Sequence, residues 1–188
     1  MEGIRGTRYE ALSHFGGING VGKSSFLGAL KGNRSDLGCI IDENTVLAEL
    51  GLMKIRECLQ RGVFFTQETP LSGNKTEQTA KQEREAGYYV RLYYIALDTA
   101  QESLARIENR VKRGGHDIDR EDVLRRFSGR WEAVQRVLPY CDEAEFYDND
   151  NGFVKVAEYR NGELLPIGER CPDWLKELQA YLRGNVLK

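Results

Sequence analysis

The chain has 188 residues, which allows one domain with a substantial core but would be crowded as two, so we expect a single domain spanning residues 1–188. Thirty per cent of the residues are charged, 40% are hydrophobic and the formal net charge is −2. This is the composition of a soluble globular protein, and it lacks the basic excess that neutralises a nucleic-acid backbone. Nucleic acid is therefore disfavoured as a partner.

The cysteines and the apolar runs indicate the cellular compartment in which the protein is expected. The four cysteines are far apart, with no CxxC pair and no histidine at a metal-ligand spacing, so neither a zinc site nor a disulfide framework is predicted. No apolar run is long enough to cross a bilayer, and residues 1–15 lack the apolar segment of a signal peptide. We therefore expect a cytoplasmic protein with reduced thiols and no membrane partner.

The apolar pattern along the chain predicts an α/β fold, because short apolar runs alternate with amphipathic segments as in a parallel sheet covered by helices. The predicted strands end near Phe15 and cover residues 38–42, 63–69 and 89–97. The predicted helices cover residues 23–31, 45–62, 100–113 and 120–138. The polar segment 71–87 is either a solvated helix beside the cleft or a mobile element.

The last part of the chain predicts a β-hairpin and a final helix. Residues 142–150 and 153–164 are the two predicted strands, and Asn151–Gly152 between them suits a tight turn. A terminal helix is predicted over residues 172–182. Earlier in the chain, His14 falls in a strand that should be apolar, and we interpret it as a buried, hydrogen-bonded core residue.

A phosphate-binding loop is predicted between the first strand and the first helix. Residues 17–24, GINGVGKS, match GxxxxGK[ST] at every fixed position. Glycines let the backbone curl so that its amides point at phosphate oxygens, and the helix adds its positive N-terminal end. Lys23 is expected to reach the β- and γ-phosphates and Ser24 to bind Mg²⁺. The residues expected to hold the nucleotide are Gly17, Asn19, Gly20, Val21, Gly22, Lys23, Ser24 and Ser25.

Such a loop fits kinases, GTPases and motor ATPases alike. A GTPase is disfavoured because the sequence has no Asn-Lys-x-Asp stretch for reading guanine, and the length disfavours a motor ATPase. The class of enzyme must be inferred from residues further along the chain.

Two predicted helices joined by Gly114–Gly115 form a candidate lid. The arginines along an edge of their apolar stripes are Arg106, Arg110, Arg113, Arg126 and Arg130, whereas Arg125 lies on the far side. Arginines in this arrangement can clamp a transferring phosphoryl group, and we assign phosphate contact to Arg110 and Arg126. The alternative is that the arginines pair with glutamates on solvated faces.

Polar residues at the helix ends have simpler interpretations. His116 is interpreted as a hydrogen-bonding turn residue rather than a catalytic base. Asp117 or Asp119 is expected to cap the second helix of the lid. Asp98 could end a metal-binding strand, but we interpret it as the N-cap of the helix over residues 100–113.

Residues 91–127 resemble the zeta-toxin family of P-loop kinases and its non-toxin bacterial relatives. The resemblance is carried by RVKRGGHDI, residues 110–118, followed by Arg125, Arg126 and Phe127. The segments IDENTVLAEL, FTQETPLSG and FYDND are similar to further segments of the family, and the likeness covers residues 16–151.

The resemblance implies a kinase fold with a mostly parallel five-stranded sheet. It also implies ATP or GTP with Mg²⁺ as phosphoryl donor and a sugar hydroxyl as acceptor, which in the toxin branch belongs to UDP-N-acetylglucosamine. Toxin members normally have a neutralising antitoxin partner, which this chain would need if it is itself a toxin.

The sequence departs from the family at the carboxylate that receives the acceptor's proton. The position of the family's aspartate appears here as Asn44, which cannot take a proton. Asp42, two residues earlier in an extended segment, could face the same cavity, and Glu68 at the end of the third strand is the other candidate. The predicted catalytic residues are thus Lys23, Asp42, Glu68, Arg110 and Arg126. The alternative function is a nucleotide-binding regulatory module, or a weak ATPase, that has lost phosphoryl transfer.

Overall fold

The computed structural model describes residues 11–42 and 48–185, which are built around a single seven-stranded sheet. In chain order the strands are β1 (Ala11–Gly16), β2 (Cys39–Asp42), β3 (Phe65–Glu68), β4 (Tyr89–Ala96), β5 (Glu143–Asp148), β6 (Val154–Arg160) and β7 (Glu163–Pro166). Their order in the sheet is β2-β3-β1-β4-β5-β6-β7. The first five are parallel to one another, and β6 runs antiparallel to both of its neighbours, β5 and β7.

The helices agree with the predicted pattern in most places. They are α1 (Lys23–Lys31), α2 (Ala48–Arg61), α3 (Lys75–Glu85), α4 (Ala100–Lys112), α5 (Arg120–Ser128), α6 (Arg130–Val137) and α7 (Asp173–Asn185). Helix α1 has its predicted bounds, and α3 decides the open alternative for residues 71–87 in favour of a helix. The α/β fold is confirmed, with five parallel strands as predicted. The C-terminal hairpin joins the same sheet, which raises the total to seven strands.

Two predicted elements are wrong because each is divided by a glycine. The helix expected over residues 120–138 is broken at Gly129, which ends α5 and begins α6. The strand expected over residues 153–164 is two strands joined at Asn161–Gly162. Both of these residues have positive φ, +53° and +85°, as the tightest hairpin turns require.

The helices cover the two faces of the sheet unequally. Helices α2, α3, α6 and α7 lie on one face, and Leu92, Phe146 and Trp174 belong to its core. Helix α1 lies on the opposite face, where Phe15, Phe26 and Tyr93 pack together. Burial of these large side chains stabilises the sheet. The parallel direction of β1 to β5 places the carboxyl ends of these five strands at one edge.

His14 lies within this sheet as expected. Its Nε2 atom is 2.7 Å from Glu83 Oε2 of α3, and both side chains are fully buried. A buried carboxylate needs such a partner, because a charge removed from water is costly when it is unpaired. His14 is therefore confirmed as a hydrogen-bonded core residue.

The N-cap of α4 differs from the prediction. Thr99 is the cap, and it forms a capping box in which its hydroxyl accepts from the Glu102 amide while the Glu102 carboxylate accepts from the Thr99 amide. Asp98 instead accepts a hydrogen bond of 2.8 Å from the backbone amide of Trp174 at the start of α7. At the other end of the lid, Asp119 caps α5, as one of the two predicted alternatives.

Candidate functional site

The phosphate loop connects β1 to α1 at the centre of the sheet's carboxyl edge. The chain leaves β1 in one direction and β4, its neighbour, in the other, and ligands of open parallel sheets bind at such a point. Gly17, Gly20 and Gly22 have φ of +140°, +87° and +97°, which side chains rarely allow. A Cβ atom on Gly17 would lie 2.4 Å from the Ile95 carbonyl oxygen, so the loop is packed tightly against β4.

Lys23 is buried inside the loop. Its Nζ atom donates to the carbonyl oxygens of Gly17 and Ile18 at 2.8 and 3.1 Å. Burial lowers the Lys23 pKa to about 8, although the carboxylates of Glu68 and Asp42 act in the opposite direction. An anion that replaced the two backbone acceptors would favour the charged form of Lys23.

Two carboxylates lie at the adjacent ends of β2 and β3. Asp42 and Glu68 are register partners, so they project from the same face of the sheet, which is the face covered by α1. Glu68 Oε1 accepts a hydrogen bond of 2.8 Å from the Ser24 hydroxyl. Burial raises the pKa of Glu68, and the bond from Ser24 and the charge of Lys23 partly offset this effect.

The two favoured arginines both reach the loop region, by different contacts. Arg126 of α5 donates to the side-chain oxygen of Asn19 in the phosphate loop. Arg110 of α4 donates to the His116 carbonyl oxygen at 2.6 Å, which closes the turn between α4 and α5. The charges of Arg110 and Arg126 also contribute to lowering the Lys23 pKa.

A cavity of about 530 Å³ lies among these groups. The predicted site residues that line it are Asn19, Gly20, Gly22, Lys23, Ser24, Ser25, Asp42, Glu68 and Arg110. Arg106, Ile107, His116 and Asn149 complete the lining. Val21 is buried in the core and Gly17 offers its carbonyl to Lys23, so both support the loop from behind. A volume of this size accommodates a small-molecule ligand.

Other arginines of the predicted lid serve structural contacts. Arg125 pairs with Asp122 at the surface. Arg130 pairs with Glu177 of α7 and stacks on the rings of Phe127 and Trp131, and burial lowers its pKa. Neither residue lines the cavity. Asn44, the position on which the alternative function depends, lies outside the described residues.

Asn149 lines the cavity but was not assigned to the site by the sequence interpretation. Asn149 follows β5, is buried, and its side-chain amide donates to the Val21 carbonyl oxygen at 2.8 Å. Arg106 of α4, which also lines the cavity, donates to the Asn149 carbonyl oxygen at 2.6 Å. The segment FYDND was noticed as similar to the zeta-toxin family, but nothing local in it indicates a contact with the phosphate loop.

The comparisons with known proteins agree with this geometry. The chain has the fold of the zeta-toxin-like P-loop kinases. A chain of the PezAT chromosomal toxin–antitoxin system of Streptococcus pneumoniae matches with a TM-score of 0.62 and 15% identity, over 96% of this chain and 86% of that one. A chain of the AvrRxo1-ORF1:-ORF2 crystal structure with ATP matches with a TM-score of 0.60 and 17% identity, over 92% of this chain and 63% of that one.

At the level of sequence, no protein-family model matches the chain. The chain belongs to the same family as a Haemophilus influenzae protein described as uncharacterized. The two are 31% identical over an alignment of 124 positions, which covers 58% of this chain and 86% of the relative.

Two further properties concern the described residues alone. None of their helices combines the length and the apolar character that a membrane span requires. Within the same residues, no group of three or more histidine, cysteine, aspartate and glutamate side chains could hold a metal ion.

Proposed function

We propose that the protein is a kinase that transfers the γ-phosphoryl group of ATP or GTP to a hydroxyl group of a small molecule. The observation that carries the proposal is that Lys23, Arg110 and the carboxylates of Asp42 and Glu68 line the same cavity beside the phosphate loop. Such a site can bind a triphosphate, stabilise the moving phosphoryl group and accept a proton, which is what phosphoryl transfer requires.

The donor's phosphates would bind to the loop. Its backbone amides and the N-terminal end of α1 attract phosphate oxygens, and Lys23 would exchange the carbonyls of Gly17 and Ile18 for the β- and γ-phosphates. Arg110 and Arg126 would stabilise the charge on the transferring group. Their present contacts, the His116 carbonyl and the Asn19 side chain, keep both guanidinium groups near the cavity.

The residues around Ser24 fit a magnesium ion. The Ser24 hydroxyl and the Glu68 carboxylate, 2.8 Å apart, are hard oxygen donors of the kind that Mg²⁺ prefers. When bound, Mg²⁺ would neutralise charge on the phosphates of the nucleotide. Ser24 and Glu68 are the residues that we assign to hold it.

Asp42 is the residue that we assign to the acceptor. Asp42 lies beside Glu68 on the neighbouring strand and lines the cavity, and Glu68 is the carboxylate that we assign to the metal together with Ser24. The Asp42 carboxylate would orient the acceptor hydroxyl and take its proton as the oxygen bonds to the γ-phosphorus. The bond from this phosphorus to the bridging oxygen then breaks, and the nucleoside diphosphate leaves.

The comparisons support the kinase proposal and suggest partners. The related AvrRxo1 structure contains ATP, and the PezAT protein belongs to a toxin–antitoxin system. By likeness, an antitoxin protein is a partner if this chain is a toxin, and a UDP-N-acetylglucosamine-type sugar nucleotide is the first acceptor to test. We propose a cytoplasmic location because ATP, GTP and sugar nucleotides are found there.

A transfer assay tests the proposal. The chain is incubated with γ-labelled ATP or GTP, Mg²⁺ and a panel of sugar nucleotides and free sugars, beside an acceptor-free control that measures hydrolysis. Label in a phosphorylated acceptor, lost in Lys23→Ala and retained in the exposed control Gly28→Ala, supports the kinase. Nucleotide binding without transfer to any acceptor supports the regulatory module instead, and absence of binding contradicts both functions.

A further inference from the structure

Asn149 contacts three parts of the molecule at once. Its backbone amide donates to the Ala96 carbonyl oxygen at the end of β4, at 3.2 Å. Its side-chain amide donates to the Val21 carbonyl oxygen at 2.8 Å, and its own carbonyl oxygen accepts from Arg106 of α4 at 2.6 Å. Asn149 is only 8% exposed, so water has little access to the groups that form these bonds.

The contact with Val21 falls between two glycines of the loop that have positive φ. Val21 stands between Gly20 and Gly22, which have φ of +87° and +97°. A Cβ atom on Gly22 would lie 2.7 Å from the Asn149 side-chain nitrogen, so the amide group is pressed directly against the loop backbone. At this point the loop backbone therefore packs against the Asn149 side chain and is hydrogen-bonded to it.

The orientation of one peptide group follows from this contact. In a trans peptide, the carbonyl of Val21 and the amide of Gly22 point in opposite directions. Because Asn149 holds the Val21 carbonyl, the Gly22 amide is turned away from Asn149. The Gly22 amide immediately precedes Lys23 in the chain, and it is the group that would donate to a phosphate oxygen.

We propose that Asn149 is a positioning residue for the nucleotide phosphates, which fixes the Gly22 amide by holding the Val21 carbonyl. Arg106 acts through Asn149: it anchors the backbone of Asn149 and the next residue, Asp150, at 2.6 and 3.3 Å, and so connects helix α4 to the phosphate loop. This inference rests on the proposed nucleotide binding, and it gives Arg106 a role other than direct phosphate contact.

Calorimetric titration with ATP and with inorganic tripolyphosphate tests the inference. Tripolyphosphate carries no base or sugar, so it reports phosphate contacts alone. In Asn149→Ala we expect both affinities to fall about tenfold. This is the effect of losing one well-placed hydrogen bond to an anion, here the bond from the Gly22 amide to phosphate. Asn149→Asp keeps the shape of the side chain but cannot donate to Val21, and it should lose at least as much. Asn151→Ala, in the exposed turn that follows, should bind both ligands like the wild type.

A double mutant separates the roles of the two residues. If Arg106 acts through Asn149, Arg106→Ala alone weakens binding, and adding it to Asn149→Ala causes no further loss. Additive losses would show that Arg106 contacts phosphate itself and would overturn this part of the proposal.

Three other results would overturn the role of Asn149. Unchanged affinities in folded Asn149→Ala and Asn149→Asp, with only a lower melting temperature, would mean a structural role. A loss of ATP affinity with unchanged tripolyphosphate affinity would place Asn149 against the nucleoside. If the wild type binds neither ligand, the proposed function fails and the inference fails with it, whereas the first two results leave the kinase proposal intact.

Discussion

At Lys23, burial and the neighbouring carboxylates shift the pKa in opposite directions. Its ammonium group is almost fully buried, and the burial lowers its pKa from 10.5 to about 8. Asp42 and Glu68 favour the charged form, but Arg110 and Arg126 oppose it. The balance keeps Lys23 titratable close to physiological pH, so its charge depends on what occupies the loop.

We expect nucleotide affinity to depend on pH through Lys23. Below about pH 8 its ammonium group is charged, and it becomes neutral as the pH rises through that pKa. Phosphate binds the charged form better, so ATP affinity should be full at pH 7 and fall on the order of tenfold by about pH 9.5. Calorimetric titrations from pH 7 to 10 measure this, with Lys23→Ala as the control that binds weakly at every pH. A flat profile for the wild type would contradict the assignment.

The two strand-end carboxylates should differ in their mutant kinetics. Asp42→Asn removes the proposed proton acceptor, so kcat should fall by about 10²- to 10⁴-fold while ATP affinity changes little. Glu68→Gln should instead raise the Mg²⁺ concentration needed for half-maximal activity, because Glu68 is paired with Ser24. Steady-state kinetics at varied Mg²⁺ distinguish the two. The opposite pattern would exchange the assigned roles.

At the scale of elements, the loop and its neighbouring helices form one packed unit. Gly20 has φ of +87°, and a Cβ atom there would lie 2.5 Å from the Ser103 carbonyl oxygen of α4. We expect Gly20→Ala to lower the free energy of unfolding by about 1–3 kcal/mol, because the loop would have to move away from α4. Urea denaturation without nucleotide measures this change.

The matched control is Gly28→Ala in the exposed part of α1. No atom lies within 4 Å of a Cβ at that position, and alanine favours a helix interior, so this variant should be more stable by about 0.5–1 kcal/mol. Equal destabilisation of both variants would mean that the contact with α4 is unimportant.

The elements were predictable where a local pattern determines them. Helix α1 has the expected bounds because the phosphate-loop motif fixes its start, and Asp119 caps α5 as its position suggests. Gly129 was missed because a single glycine can sit inside a helix, and only packing decides whether the helix breaks there. Asp98 was misassigned because Thr99, the next residue, completes a capping box, while the partner of Asp98 is Trp174.

The site residues also divide into those that a local motif predicts and those that depend on long-range contacts. Lys23 and Ser24 belong to one contiguous motif, so their positions follow from the sequence. Asn149 lies 128 residues from Val21 in the chain, and only the order of the strands in the sheet brings the two together. Arg106 was expected on the cavity side by its helical spacing, but its contact with Asn149 depends on the turn after β5. Long-range pairings of this kind leave no local pattern.

At the scale of the whole molecule, the seven strands of the described residues form one continuous sheet. The ring centroids of Trp131 in α6 and Trp174 in α7 are 6.1 Å apart, so these two helices pack together. We expect a single cooperative thermal transition, identical by far-ultraviolet circular dichroism and by tryptophan fluorescence. ATP with Mg²⁺ should raise its midpoint in Gly28→Ala as in the wild type, and not in Lys23→Ala. Two separate transitions would contradict a single domain.

The attachment of α7 has a consequence for the order of events during protein synthesis. Trp174 donates from its ring to the buried Asp148, next to Asn149, and from its backbone to Asp98 at the end of β4. A growing polypeptide on the ribosome carries its phosphate-loop motif early, but the partners that brace this edge emerge only after residue 174 has left the exit tunnel. Nucleotide capture by the nascent chain should therefore begin only after α7 has emerged and packed against this edge.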